Sequence, residues 1–331
     1  MTPLPGPVVV TGASGFIGRH LVASLAAAGI PVRAIIRRDQ SLGQGVTNFI
    51  AKDLLDAESI YAAVNGASAV VHLAGRAHAR PEGRDNPGSE CRRVNVDGTA
   101  TLLEAAAAAG VGSLVYVSSV KAVASESEIP LTPSTPPQPT DAYGESKLEA
   151  ERLVRVAAVR DGFHAPVLRL PVVYGPGMKA NMAALFSAVD RGIPLPLASV
   201  KNRRSFAYVG NVTAAIMSLI EPAGTGSQIF YTSDEHDLST PGLIKEIARA
   251  LGRPLRLFPM PPAMLRGAGE AGGLLSRIAG LHFSSESVTA VLGSLFVDTS
   301  SLREMTGFKP PYSVPQGMSL TAAWFHSSRS G

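Results

Sequence analysis

The chain has 331 residues, 45% of them hydrophobic, and a formal net charge of +4 from 30 basic against 26 acidic residues. That length and apolar share suit one large core, or one large domain with a smaller lobe, and exclude collagen-like and disordered chains. The charges nearly balance and no run of five like charges occurs, which excludes a nucleic-acid-binding tail.

A single cysteine, Cys91, excludes an intramolecular disulfide framework and fits a reducing, cytoplasmic setting. Residues 1–7 contain no Lys or Arg, so no secretory signal is expected. No stretch reaches the ~18 uninterrupted apolar residues of a membrane span. The seven histidines show no metal-ligand spacing, and no metal site is expected.

In chain order, Val8, Val9 and Val10 read as a strand buried on both faces, which Thr11-Gly12-Ala13-Ser14-Gly15-Phe16-Ile17-Gly18 turns directly into a helix over 16–28. Gly12 permits the tight turn, Gly15 lets backbone approach a pyrophosphate, and Gly18 lets the helix pack closely on the strand. The helix then presents its unpaired N–H groups and positive dipole end to the anion. The three-and-three spacing of these glycines departs from the two-and-three spacing of the commoner dinucleotide fingerprint.

A second strand covers 31–36 and ends at Arg37-Arg38, a basic pair where an acidic side chain would otherwise accept a ribose 2'-hydroxyl. The basic pair suits a 2'-phosphate, so NADP(H) is favoured, with NAD(H) possible. A third strand is expected over 48–52, with Asp53-Leu54 where an adenine contact would fall. A helix over 57–64 and a fourth strand over 68–73 follow, the latter running into Leu73-Ala74-Gly75. Small residues there let backbone approach the cofactor. The repeated alternation of strand and helix predicts an α/β fold with a Rossmann-like, doubly wound parallel sheet.

Residues 76–90 read as a long polar loop, with His72 and His78 more economically explained as a satisfied buried or an exposed histidine than as catalytic groups. Residues 92–109 form an Ala-rich helical pattern carrying Asn95, and 113–118 a fifth strand closed by Ser118-Ser119. Five prolines between 125 and 140 mark a loop that returns to the same site. A helix from Tyr143 to about 159 and a sixth strand over 165–170 complete the first domain, taken as 1–174 with returning segments at about 203–233. A smaller C-terminal α/β substrate lobe is assigned 175–202 and 234–331, including a Gly-rich, partly amphipathic helix at 262–281. Asn181 is expected to begin a helix, and Asn202-Arg203-Arg204-Ser205 to precede a strand.

Tyr143 and Lys147, four residues apart, share one helical face about a turn apart. A phenol of pKa about 10 acts near neutrality if its pKa is lowered by up to ~3, about 4 kcal/mol. The Lys147 ammonium and an oxidised nicotinamide are expected to supply most of that. Ser119 would hold the reacting oxygen by a hydrogen bond. Ser119, Tyr143 and Lys147 are therefore the expected catalytic residues, with hydride exchanged between nicotinamide and substrate carbon.

The glycine turn, Asp53-Leu54, His72-Leu73-Ala74-Gly75, Asn95, Ser118-Ser119, Tyr143-Gly144-x-Ser146-Lys147 and Tyr174-Gly175-Pro176-Gly177 occur in one order along nearly the whole chain. In this the chain resembles the extended short-chain dehydrogenase/reductases of the NAD-dependent epimerase/dehydratase family. The resemblance implies cofactor contacts at Gly12, Ser14, Gly15, Phe16, Ile17, Gly18, Arg37, Arg38, Asp53, Leu54, Leu73, Ala74, Gly75, Asn95, Tyr143, Lys147 and Pro171. It implies a nucleotide-sugar diphosphate on Asn181 and Arg204, with Ser119 also touching substrate. A forked, always-charged arginine suits a diphosphate. The second diphosphate arginine of many epimerases would fall near Gly293-Ser294-Leu295 and is missing. A homodimer paired through the helices at 92–109 and 143–159 is implied as well.

Residues 73–80, 118–121 and 179–204 resemble those of bacterial surface-polysaccharide (O-antigen) enzymes. The branch indicated reduces UDP-2-acetamido-2,6-dideoxy-xylo-hexos-4-ulose, a UDP-4-keto-6-deoxy sugar, at C4 to UDP-N-acetylquinovosamine. Arg37-Arg38 and the missing second arginine favour such a 4-ketoreductase over a UDP-glucose or UDP-N-acetylglucosamine 4-epimerase. Val120 stands where a 4,6-dehydratase carries an acid. A steroid or flavonoid reductase would want an apolar pocket at Asn181 and Arg204. An NADP-sensing or scaffold protein without chemistry commonly loses the tyrosine or lysine, and both are retained here.

Overall fold

The valines at 8–10 lie at the centre of the sheet because strands on both sides and helices on both faces leave them no contact with water. The computed structural model describes residues 4–77, 87–221, 224–261, 263–265 and 291–329. In chain order it contains β1 (Val8–Thr11), α1 (Phe16–Ala27), β2 (Val32–Ile36), β3 (Val46–Ile50), α2 (Ala57–Val64) and β4 (Ala69–His72). Then come α3 (Pro87–Arg92), α4 (Gly98–Ala108), β5 (Ser113–Ser119), α5 (Ala142–Asp161), β6 (Val167–Leu170) and β7 (Val172–Tyr174). The remainder comprises α6 (Ala180–Asp190), β8 (Phe206–Tyr208), α7 (Val209–Ser218), β9 (Ile229–Tyr231), α8 (Thr240–Ala250), α9 (Ser300–Thr306) and α10 (Val314–Ser327).

Seven strands form one parallel sheet in the order β3-β2-β1-β4-β5-β6-β9. Alternate residues face opposite ways, so Val8 and Val10 join Leu21, Leu25 and Ile216 on one face, while Val9 and Val70 join Ile60, Leu102 and Val154 on the other. The chain crosses from one side of β1 to the other between β3 and β4, which opens a crevice at the carboxyl ends of β1 and β4.

Local chemistry sets the helix ends. The Asp56 carboxylate accepts from the Ser59 N–H at the start of α2, and Ser239 does the same for Gly242 at the start of α8. Asp141 caps α5 through the Gly144 N–H at 2.7 Å, and Gly162, at φ 71°, closes it in the left-handed conformation.

The structure also departs from the sequence reading. The third strand is Val46–Ile50, starting two residues earlier than expected, because Gly45 at φ 76° ends the turn just before it. The helical stretch 92–109 is divided: α3 starts at Pro87, and a π-helical turn (Arg93–Asp97) joins it to α4. Of the returning segments, β9 enters the main sheet. The strand in the 203–220 segment does not: β8 pairs with β7 in a separate two-stranded parallel sheet. In β8, Phe206 and Tyr208 face the lobe core and Ala207 the main core, so this ribbon is a seam between the two. The expected helix at 262–281 and His78 fall largely outside the described residues.

Candidate active site

The crevice begins with the glycine turn. Gly12 has φ 64°, and a Cβ there would lie 2.7 Å from the Ala74 nitrogen, so glycine lets β1 and the segment after β4 touch. A Cβ at Gly18 would stand 2.2 Å from the Gly12 carbonyl oxygen, which fixes how closely α1 packs on the turn. Gly15 caps α1 with no side-chain hydrogen bond, and the first turn of α1 carries no acidic residue. The free N–H groups and the unopposed dipole suit a pyrophosphate, and the residues present fit a dinucleotide at this place.

Beneath the turn runs a fully buried hydrogen-bond chain. The Ala74 N–H donates to Thr11 Oγ1 at 3.1 Å, and Thr11 Oγ1 pairs with His72 Nδ1 at 2.6 Å. His72 Nε2 pairs with Thr99 Oγ1 at 2.9 Å, and Thr99 donates its proton to the Asn95 carbonyl at 2.6 Å. With that hydroxyl proton committed, His72 Nε2 must be the donor and Nδ1 the acceptor, so one neutral tautomer satisfies every link. Burial drives the His72 pKa down to about 3, with the Lys147 charge adding to the effect. This is the satisfied buried histidine that the sequence suggested.

Asn95 stands in the π-helical turn, whose extra width brings its side chain across the crevice floor. Its Oδ1 accepts from the Arg76 N–H at 2.7 Å, while Nδ2 donates to the Arg76 carbonyl and to Ser146 Oγ at 2.8 Å. Ser146 in turn donates to the Tyr143 carbonyl. A Cβ built on Gly75 would meet Asn95 Oδ1 at 3.2 Å and Lys147 Nζ at 3.9 Å. Gly75, Asn95 and Lys147 therefore lie together, and Ser146 links Asn95 to the main chain of Tyr143.

Tyr143 occupies the first turn of α5, which packs closely on the turn after β5: a Cβ on the next residue, Gly144, would collide with the Lys121 carbonyl at 2.2 Å. Lys121 Nζ binds the capping Asp141 at 2.5 Å, locking that turn in place. Ser119 lies within hydrogen-bonding reach of the Tyr143 phenol and draws its pKa down. Burial outweighs this, and together with the Asp141 and Cys91 charges it pushes the phenol up to about 12. The expected acidification by Lys147 is not found. Lys147 Nζ instead donates to the Val117 carbonyl at 2.7 Å and sits 4.2 Å from the centre of the Tyr116 ring. Burial lowers the Lys147 pKa to about 7, against the Glu151 charge, which raises it.

The remaining expected residues are distributed around this centre. Arg37 and Arg38 are exposed beyond the end of β2 and form no hydrogen bond or ion pair among the described residues. Asp53 pairs with Arg93 and accepts from the Leu55 N–H, and both interactions lower its pKa against desolvation. Leu54 lies under α4, where a Cβ on Gly98 would meet it at 3.0 Å. Pro171 is buried between β6 and β7, and Phe16 and Ile17 pack against the lobe core. Asn181 is exposed in the first turn of α6, next to Ala180, whose φ of 54° is the only positive value at a non-glycine position among the described residues. Arg204 is buried. Its main chain bridges Leu238 and Leu295, its guanidinium donates to the Gly293 carbonyl at 2.9 Å, and burial lowers its pKa.

Sequence reading missed a cluster behind the site. Glu151 accepts from Ser118 Oγ at 2.5 Å and from two nitrogens of Arg169 at 3.0 and 2.7 Å, and Arg169 donates to Tyr231 at 2.8 Å. The available signal was the four-residue step from Lys147 to Glu151 on the same helical face.

The model of the family described as "NAD dependent epimerase/dehydratase family" matches residues 8–230. A UDP-glucose 4-epimerase of Vibrio cholerae is 32% identical over 326 residues, covering 97% of this chain and 96% of its own. A GDP-6-deoxy-D-mannose reductase of Pseudomonas aeruginosa is 27% identical, covering 93% of each chain. Among solved structures, that of MoeE5 in complex with UDP-glucuronic acid and NAD superposes with a TM-score of 0.75 at 28% identity, covering 98% of this chain and all of its own. With the glycine cradle, the residues Ser119, Tyr143 and Lys147 and these likenesses together, the chain belongs to the NAD dependent epimerase/dehydratase family.

Proposed function

We propose that this protein is a nicotinamide-dependent 4-ketoreductase acting on a UDP-linked 4-keto-6-deoxy-N-acetylhexosamine, to give UDP-N-acetylquinovosamine. The observation that carries the reading is Ser119 within hydrogen-bonding reach of the Tyr143 phenol, with Asn95 and Lys147 Nζ beside Gly75 at the edge of the dinucleotide cradle. A reduced nicotinamide bound there supplies hydride to C4. The chain's own residues do the rest: Ser119 holds the ketone oxygen, and the Tyr143 hydroxyl delivers the proton that turns the developing alkoxide into an alcohol. Lys147 Nζ, held on the Val117 carbonyl beside Gly75, would present its ammonium to the cofactor.

Burial raises the Tyr143 pKa, which keeps the phenol in the protonated form that a reduction starts from. The unpaired Arg37 and Arg38 suit the 2'-phosphate of NADPH, and the UDP-sugar complex of MoeE5 supports a UDP-sugar at the lobe near Arg204. The lobe is taken as 175–202 with 234–331, and a homodimer through α4 and α5 fits the exposure of Val156 and Val159 on α5. Light scattering at micromolar concentration should then report twice the chain mass, and a monomer would reject the pairing.

A 4-epimerase is the second reading, favoured by the likeness to the Vibrio cholerae enzyme. Purified protein is offered UDP-4-keto-6-deoxy-N-acetylhexosamine with NADPH or NADH, and separately UDP-glucose and UDP-N-acetylglucosamine without added coenzyme. Loss of reduced-nicotinamide absorbance in the first and no isomer in the second is the expected result. The reverse pattern makes it an epimerase.

A further inference from the structure

Glu151 and Arg169 are each about 2% exposed, yet both carry charge and both lie directly behind the reacting groups. Their bond is two-pronged, with Arg169 Nε and Nη2 each donating to Glu151. Arg169 is the register partner of Ser118 on the adjacent strand, and Ser118 gives its own proton to Glu151. Glu151 is one helical turn beyond Lys147, as Lys147 is one turn beyond Tyr143. Tyr231 on β9 completes the set by accepting from Arg169. Desolvating two charges is costly, and an apolar pair of similar volume often does as well or better for stability. Stability alone therefore gives little reason for this pair.

We propose that Glu151, clamped by Arg169 and one helical turn from Lys147, is a positioning residue that supports the Lys147 charge and anchors the Ser118-Ser119 strand end. The inference rests on the oxidoreductase reading of Tyr143 and Lys147. Lys147 is enclosed by the Tyr116 ring and the Val117 carbonyl from β5, and His72 faces it from β4. Tyr143 precedes it by a turn on α5, and Arg169 and Tyr231 lie behind Glu151 from β6 and β9. His72 is neutral, and burial holds Tyr116, Tyr143 and Tyr231 protonated. Burial also opposes the Arg169 charge, but its bond to Glu151 prevails and its pKa ends above the ordinary value. Glu151 is thus the anion that partly opposes the desolvation of the Lys147 ammonium from one helical turn away.

The test follows Lys147 by NMR of the full-length protein labelled with 13C at lysine Cε, its signal identified by loss in Lys147→Arg. The expected midpoint is about 7 in the unaltered chain. Glu151→Gln should lower it by about one pH unit or more, roughly tenfold in the proton equilibrium. That variant strands the Arg169 charge and is at risk of not folding. The double variant Glu151→Leu with Arg169→Met removes both charges, and a smaller downward shift is expected there.

A midpoint that stays put in the folded double variant overturns the proposal. So does a shift confined to Glu151→Gln, since it would then come from the stranded arginine. In parallel, the alkaline limb of kcat/KM for reduction of the keto sugar should move down with the midpoint, while a merely structural role would depress activity at every pH without moving it. If no keto sugar is reduced but the Lys147 midpoint shifts, the proposed function fails and the charge-setting role of Glu151 stands.

Discussion

Two buried carboxylates occupy comparable depths in this molecule and are treated oppositely. Glu151, under the candidate site, has a full counter-charge in Arg169. Asp234, at the seam between the main sheet and the lobe, has none among the described residues: it accepts from Tyr174 Oη at 2.7 Å, the Tyr208 N–H at 2.9 Å and Asn211 Nδ2 at 2.6 Å. Burial raises the Asp234 pKa despite those three donors. Asn211 extends the staple to both the N–H and the carbonyl of Tyr312 just before α10. Neutral donors suffice where a carboxyl has only to join segments. A charge is kept charged, at the cost of burying its partner, where a neighbouring group must work.

The sharpest way to break this contrast is at the site itself. Tyr143→Phe should lower keto-sugar turnover by about 10²–10⁴-fold, with NADPH affinity and unfolding midpoint nearly unchanged. Unaltered turnover would remove the phenol from the chemistry and leave the Glu151 side with no function to serve.

At the seam the expected loss is in stability. Asp234→Leu strands the Tyr174 hydroxyl, the Tyr208 N–H and the Asn211 amide, and should cost about 3 kcal/mol in urea unfolding, with turnover per folded molecule kept. A collapse of turnover in a folded variant would show that the seam takes part in the reaction. The raised pKa of Asp234 gives a second signature. The folded chain holds a proton that the unfolded chain releases above its ordinary value of 3.8, so this group's contribution is fully present below 3.8 and falls as pH rises through the folded value. Asp234→Asn should remove that slope.

His72 has the opposite sign. Above 6.5 both states carry it neutral. Between 6.5 and about 3 the unfolded chain takes up a proton that the folded chain refuses, so stability falls as pH falls. The loss should approach about 1.4 kcal/mol for each pH unit within that window, and His72→Gln should flatten it in acid-unfolding curves. An identical acid slope in the variant would show that the Thr11-His72-Thr99 chain tolerates a charge.

The smallest effect is expected at the surface. Arg37→Asp should move the NADPH-to-NADH preference by about tenfold towards NADH, read from the ratio of kcat/KM values. An unchanged ratio would mean that the exposed pair is solvated surface.

Legibility followed the length scale of each interaction. The strand-turn-helix at 8–27, the helix at 57–64 and the Tyr143-Lys147 face were readable because neighbours in sequence make them. The β7–β8 ribbon was not, since two strands of three residues each carry too little alternation to declare a partner. The π-helical turn at Asn95 was hidden in an otherwise regular Ala-rich pattern. Glu151 carried no signal of its own, because its partner Arg169 comes from β6.

By itself the sequence determined the parallel doubly wound sheet, the glycine turn and the candidate side chains at its edge, because hydrophobic period, turn glycines and helical spacing are local properties. Only the tertiary structure decided how polar groups are paired and where they point: that Lys147 turns to Val117, that burial raises the Tyr143 pKa, that Glu151 has a counter-ion and Asp234 has none among the described residues. The reason is physical. Burial and charge pairing depend on distances across strands far apart in the chain, and spacing along the sequence carries no record of them.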